Sequence, residues 1–205
     1  MRKKIIVFAG FILMTVGFSM LWCSCQSNFG LNSIDANLKR ITGIKTSSAD
    51  SNWHYFDFED IYNQDDTIFV VFDSLAIEVK TNYHQLTRAF IREILMMENI
   101  ESQNFEKVTD IIITSNKNYN AKYPSGSSLK ELISVRRSHN VNDIMTVDNM
   151  IEESSHYDRW WYFPPLLYTF NTPPETEEVH DITIKYITEK RQMAIATVKN
   201  VMILK

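Results

Sequence analysis

Four groupings of residues in this chain have types and spacings that could carry chemistry. Ser127-Ser128-Leu129-Lys130 has the S-x-x-K spacing, in which a lysine one helical turn after a serine can take its proton and leave a nucleophilic oxygen. Ser138-His139-Asn140 could stand beside it, but no K-T-G follows towards the C-terminus, and a serine capping a helix start accounts for the pattern more simply. His156 with Asp158, and His180 with Asp181, are the tight histidine–acid pairs. A metal centre needs three or more such ligands at helical or strand spacing, so both read as solvated surface pairs and no metal site is expected. Asp57, Glu59, Asp60, Asp65 and Asp66 form an acidic patch that lacks the spaced Asp/Asn and Gly of a calcium loop, leaving a weak divalent-cation site as its most ambitious reading. The fourth grouping is Tyr157-Asp158-Arg159-Trp160-Trp161-Tyr162-Phe163-Pro164-Pro165. Adjacent strand residues face opposite ways, so Trp160 and Trp161 cannot both enter one core. Exposed, Tyr157, Trp160, Trp161 and Tyr162 would offer rigid contact area to a sugar or a protein; the other reading is a loop whose aromatics seal an edge of the fold.

The elements that must position these groups are mostly strands. Residues 25–52, rich in Ser, Asn, Thr and Ala, read as a tether with a short helix near Asp35 to Arg40, and a single globular domain is expected over 53–205. Within it His54 to Phe58, Thr67 to Phe72 and Val108 to Thr114 have strand composition, and Leu75, Ile77 and Val79 alternate with Ala76, Glu78 and Lys80 as in a half-buried strand. Leu86, Ala89, Phe90, Ile94, Leu95 and Met97 recur at spacings of three and four, which predicts an amphipathic helix over Tyr83 to Asn99. An Asn116, Asn118, Asn120 cluster ends the 108–114 strand, Pro124-Ser125-Gly126-Ser127 makes a turn, and a short helix is predicted from Ser128 to Val135. Residues 136–155 carry few periodic cues. Leu166 to Phe170 is a short strand, and Ile182, Ile184 and Tyr186 lead through Glu189-Lys190-Arg191-Gln192 into a return strand from Met193 to Leu204, an antiparallel hairpin. Beyond residue 24 the glycines are Gly30, Gly43 and Gly126, so no glycine-rich loop can cradle a phosphate. No nucleotide and no cofactor is expected.

Arg2, Lys3 and Lys4 precede an uncharged run from Ile5 to Trp22, the form of a secretory signal or, uncleaved, of a membrane anchor. Leu21-Trp22-Cys23-Ser24-Cys25 resembles the lipobox of bacterial lipoproteins. Cys25 fits the lipidated position better than Cys23, which would place bulky Trp22 at the scissile bond. The resemblance implies a signal peptide over 1–24, a lipid on Cys25 that consumes the one remaining thiol, and a membrane partner through that anchor. Loss of residues 1–24 removes three cations and no acid, leaving 18 basic against 25 acidic groups and a net charge of −7. Such a surface repels a phosphate backbone, and nucleic acid is not an expected partner.

The stretches Val108 to Asn120 and Tyr123 to Leu129, with the closing hairpin, resemble small uncharacterised lipoproteins of the Bacteroidota. That resemblance implies a mainly-β fold and brings no known activity. In that group, lipoproteins destined for the cell surface often carry acids right after the cysteine, whereas here Gln26-Ser27-Asn28-Phe29-Gly30 precedes the first acid, Asp35, so the resemblance implies an outer-membrane position facing the periplasm, with the cell surface as the alternative. The expected architecture is mainly β: an antiparallel β-sandwich of immunoglobulin-like type with one or two helices, the alternative being α+β with an antiparallel sheet covered by the 83–99 helix. The expected function is a non-catalytic envelope lipoprotein that binds or scaffolds a glycan or envelope-protein partner. A small periplasmic hydrolase or weak divalent-cation binder is the alternative, and no catalytic residue is assigned.

Overall fold

The computed structural model describes residues 27–46, 54–61, 66–85, 103–137, 140–156 and 165–205. Two sheets and one α-helix make this region mainly β. The larger sheet runs in the order β2 (His54–Asp60), β1 (Ser27–Thr46), β4 (Leu75–Gln85), β9 (Leu166–Phe170), β7 (Ile133–Arg137) and β8 (Asn140–Thr146). A short β5 (Gln103–Phe105) lies parallel to the start of β1. The smaller sheet has the order β3 (Ile68–Val71), β11 (Met193–Leu204), β10 (Val179–Thr188) and β6 (Val108–Ser115). Helix α1 (Val147–His156) follows β8 and packs on β6, β7 and β8.

Strands whose period of two is unbroken form where the sequence predicts them. In β10 every second residue is buried from His180 to Thr188, and the four-residue connection to β11 closes with Thr188 N–H donating to Gln192 O at 3.0 Å. β6 and β9 likewise match their predicted spans. Ile77, Tyr168 and Ile133 from the larger sheet meet Ile111, Ile184 and Val201 from the smaller in one hydrophobic cluster. The buried hydroxyls of Tyr168 on β9 and Tyr186 on β10 hydrogen-bond to one another, one from each sheet. Each fully buried side chain of this size contributes about 1.5–3 kcal/mol through removal of apolar surface from water.

Four expectations need correction. The tether expected over 25–52 does not describe residues 27–46, which form β1, with β4 on one flank and β2 and β5 on the other. Leu31, Ile34 and Leu38 are 4%, 4% and 3% exposed, so this strand belongs to the core, and the short helix near Asp35 to Arg40 is absent. A bulge between Leu31 and Ser33 adds a residue that brings Leu31 and Ile34 to one face, and a second falls between Ile41 and Gly43. Next, β4 continues to Gln85, so Tyr83 to Gln85 are strand rather than the start of the 83–99 helix; residues 86–99 lie outside the described residues. β4 is also buried on both faces instead of one, because Ala76 and Glu78 are as covered as Leu75 and Ile77. Finally, the helix predicted from Ser128 to Val135 is a single 3-10 turn, Lys130–Leu132, followed by β7, whose Ile133 and Val135 alternate into the core. The helix that does form, α1, is one the sequence reading passed over: the Thr146 hydroxyl accepts from Asn149 N–H at 3.1 Å and caps it, and Val147 and Met150 are buried.

Candidate functional site

Beyond Ser115 the chain turns through three asparagines, each of which satisfies backbone groups that no strand serves. Asn116 donates from its amide nitrogen to Asp181 Oδ2 at 3.0 Å and accepts Asp181 N–H at 2.7 Å. Asn118 Oδ1 accepts Ser125 N–H at 2.8 Å, and Asn120 Oδ1 accepts from Lys122 N–H and Tyr123 N–H at 2.9 and 3.0 Å. Gly126 takes a positive φ of 78° and donates to Ser115 O at 2.8 Å. With Leu129 N–H donating to Ile113 O at 2.7 Å, the loop is laid along the outer edge of β6. Tyr119 pins it from beneath: its ring stacks on Phe170 at 5.4 Å, and its hydroxyl donates to Thr172 O at 2.7 Å. Burial pushes that phenol well above its ordinary pKa and keeps it a donor.

This loop, the 3-10 turn, the start of α1 and the end of β9 enclose a groove of about 550 Å³. Four charged residues line it, and each has an opposite partner. Lys122 Nζ lies 2.8 Å from Glu131 Oε2, while Lys130 Nζ lies 2.5 Å from Asp148 Oδ1 and 3.1 Å from Asp110 Oδ1. The Tyr123 hydroxyl also donates to Glu131, at 2.6 Å. Hydrogen bonds from Lys122 and Tyr123 hold the Glu131 carboxyl below its ordinary range. Burial works against the charge on Lys130, but its bonds to Asp148 and Asp110 outweigh burial and raise its pKa. The remaining polar lining is neutral. Ser134 Oγ donates to Asn171 Oδ1 at 2.8 Å, which orients the amide and leaves its nitrogen as a donor beside the groove.

The sequence-predicted candidates fall differently. Lys130, held protonated by two carboxylates, is unsuited to take a proton from Ser127, whose hydroxyl donates to Pro124 O at 2.6 Å. His180 and Asp181 are not a solvated pair. His180 is 0% exposed, with Nδ1 2.8 Å from Ser115 Oγ, whereas Asp181 points the other way and accepts from Asn116 and from Asn200 N–H at 2.9 Å. Strand alternation separates the two neighbours. Burial lowers the His180 pKa and keeps the imidazole neutral, and a Ser–His pair so enclosed has no route to a substrate. In the acidic patch Asp57 meets Lys45 at 2.8 Å, Glu59 meets Arg40 at 3.1 Å and Asp60 meets Lys39, so β1 answers β2. Among the described residues no group of three or more His, Cys, Asp or Glu could hold a metal ion. Cys25, Asp65, Asp158, Ser138, His139 and the aromatic candidates Tyr157, Trp160, Trp161 and Tyr162 lie outside the described residues.

The groove itself was missed by sequence reasoning because its ion pairs join β6, the 3-10 turn and α1, with no local spacing to mark them. Among the described residues no helix is long and apolar enough to cross a membrane. No family model, no curated protein and no solved structure matches this chain.

Proposed function

We propose that this chain is a non-catalytic, lipid-anchored envelope protein whose groove beside β6 binds a neutral, hydroxyl-rich ligand, a glycan. The observation that carries this reading is the internal pairing of every charged residue lining the groove, Lys122 with Glu131 and Lys130 with Asp148. A charged ligand would have to break those pairs, whereas hydroxyls can share the outer lone pairs of Glu131 and Asp148 and the Asn171 amide donors. Covalent chemistry is disfavoured by the same pairing, since carboxylate partners raise the pKa values of Lys122 and Lys130, and Lys122 and Tyr123 lower that of Glu131, which holds these three groups in their charged forms. The two sheets, joined by one core and by the Tyr168–Tyr186 hydroxyl bond, are best read as the faces of a β-sandwich.

A glycan array followed by titration calorimetry tests the groove. Asn171→Ala is expected to weaken a bound oligosaccharide by about tenfold, the loss of roughly one good hydrogen bond. Undiminished binding by that variant, or no glycan bound at all, would rule the groove out. The anchor rests on the Leu21-to-Cys25 resemblance and has its own test, in which Cys25→Ser should abolish incorporation of labelled fatty acid.

A further inference from the structure

Six large apolar side chains stand exposed among the described residues, and four of them, Phe69, Val71, Met193 and Ile195, fall on one surface, the outer face of the smaller sheet. Strand alternation puts them there, since their neighbours Val70 and Ala194 point into the shared core. The same face carries cations in a chain whose net charge is −4. Lys185 of β10 stands opposite Ile195, Lys199 lies six residues beyond Met193 on β11, and Lys190 and Arg191 belong to the turn between these strands. None of the four forms an ion pair among the described residues, and the one acid between Lys185 and Lys199 is Glu189. Arg191 has a φ of 62°, in the left-handed region that favours glycine, so the turn holds a charge where glycine would cost less.

The cationic turn also lies at the end of the fold where the chain enters it. Ser27 to Phe29, at the start of β1, pair with Gln103 to Phe105 of β5. Just beyond, Lys107 O accepts Glu189 N–H at 3.0 Å, and Glu106 accepts from the Thr188 hydroxyl. The turn and the residues that follow Cys25 are therefore near neighbours. We propose that the outer face of the smaller sheet docks on an anionic lipid bilayer, its four cations meeting headgroup phosphates and its four exposed apolar side chains entering the headgroup–acyl boundary. Buried apolar area and attraction to anionic lipid together supply the binding, and an anchor at Cys25 supplies the proximity. The proposal rests on the membrane-anchor reading of Leu21 to Cys25; it shares no residue with the groove and stands apart from the glycan reading. A second copy of this chain fits the face poorly, because two such faces set cations against cations.

The test is oxidation footprinting of Met193 in the full chain, reconstituted in vesicles of phosphatidylcholine alone or mixed with phosphatidylglycerol and treated with dilute peroxide. Mass spectrometry reads its conversion to sulfoxide. Met193 is expected to oxidise about tenfold or more slowly in the anionic vesicles, as two or more cations at such a surface would give, and raised salt should remove the protection. K190E/K199E should return the rate to that in neutral vesicles. R191G should give up about fivefold of the protection, the share of one cation, while melting no lower than the parent, so that lost protection is not lost folding. The proposal is overturned if Met193 oxidises equally fast in both kinds of vesicle, or if the protection survives K190E/K199E. Flotation separates it from the anchor reading: a chain that floats with neutral vesicles yet shows no anionic protection refutes the docking face alone, whereas one that floats with neither refutes the anchor as well. Protection that persists in detergent and grows with protein concentration would overturn it in favour of a second copy.

Discussion

On the larger sheet Lys39 lies between Asp60 and Glu78, Arg40 against Glu59, Lys45 against Asp57, and Arg137 between Asp143 and Glu153. On the smaller sheet Lys185, Lys190, Arg191 and Lys199 meet no carboxylate among the described residues. The outer faces differ in the same sense. Outside the larger sheet Phe56 and Leu167 are buried with Ile41 and Phe58 packed around them, and Arg136 lies 5.4 Å over the Phe56 ring. Outside the smaller sheet Met193 and Ile195 stand in solvent beside a Thr183–Thr197 hydroxyl contact of 3.0 Å. Two sheets that share one core thus differ on their outer surfaces: one pairs its cations with carboxylates, while the other keeps cations without carboxylate partners among the described residues and apolar side chains in solvent.

The largest effect that could break this comparison comes from the shared core. Ile77→Ala in β4 and Ile184→Ala in β10 should each cost about 2–5 kcal/mol and lower a single melting transition. Two separate transitions in calorimetry would mean the sheets fold independently. Next in size, Lys39→Met leaves Glu78, 8% exposed, with only Lys80 within ion-pair distance, so a loss of about 2 kcal/mol is expected by urea unfolding. Lys185→Met on the other sheet should stay within about 0.5 kcal/mol of the parent; equal losses at the two positions would erase the contrast. The smallest effect is a pH dependence. The His180 pKa is lowered from 6.5 by burial, so the unfolded chain binds its proton first as pH falls. Its share of stability is complete above that value and declines below it, and His180→Phe should flatten this part of a stability-versus-pH profile.

The hairpin of β10 and β11 was legible because Ile182, Ile184 and Tyr186 alternate without interruption, and a period of two survives in sequence whenever no residue is inserted. β1 was illegible for the opposite reason. Its bulges at Leu31/Ser33 and Ile41/Gly43 shift the phase twice, and the Asn and Ser between its apolar residues resemble a linker. α1 hid behind Glu152-Glu153-Ser154-Ser155, although Thr146 with Val147, Met150 and Ile151 at spacings of three and four was a signal that could have found it. At the site, the asparagine turn could be read from composition. The groove could not, because Asp110, Lys130 and Asp148 are brought together only by long-range packing. His180 was misjudged because nothing local distinguishes a histidine on the inward phase of a strand from one on the outward phase.

The two-sided pairing of β1 also bears on how the molecule would stand under the proposal that Cys25 is its anchor. Gln26 alone separates that cysteine from a strand pinned by β4 and, at Ser27, by β5. One residue of extended chain spans about 3.5 Å, so the folded body would rest against the lipid headgroups with the direction of β1 setting its tilt. Under that proposal a protein held so close would work at the bilayer surface, and whatever it recognised would have to be delivered there.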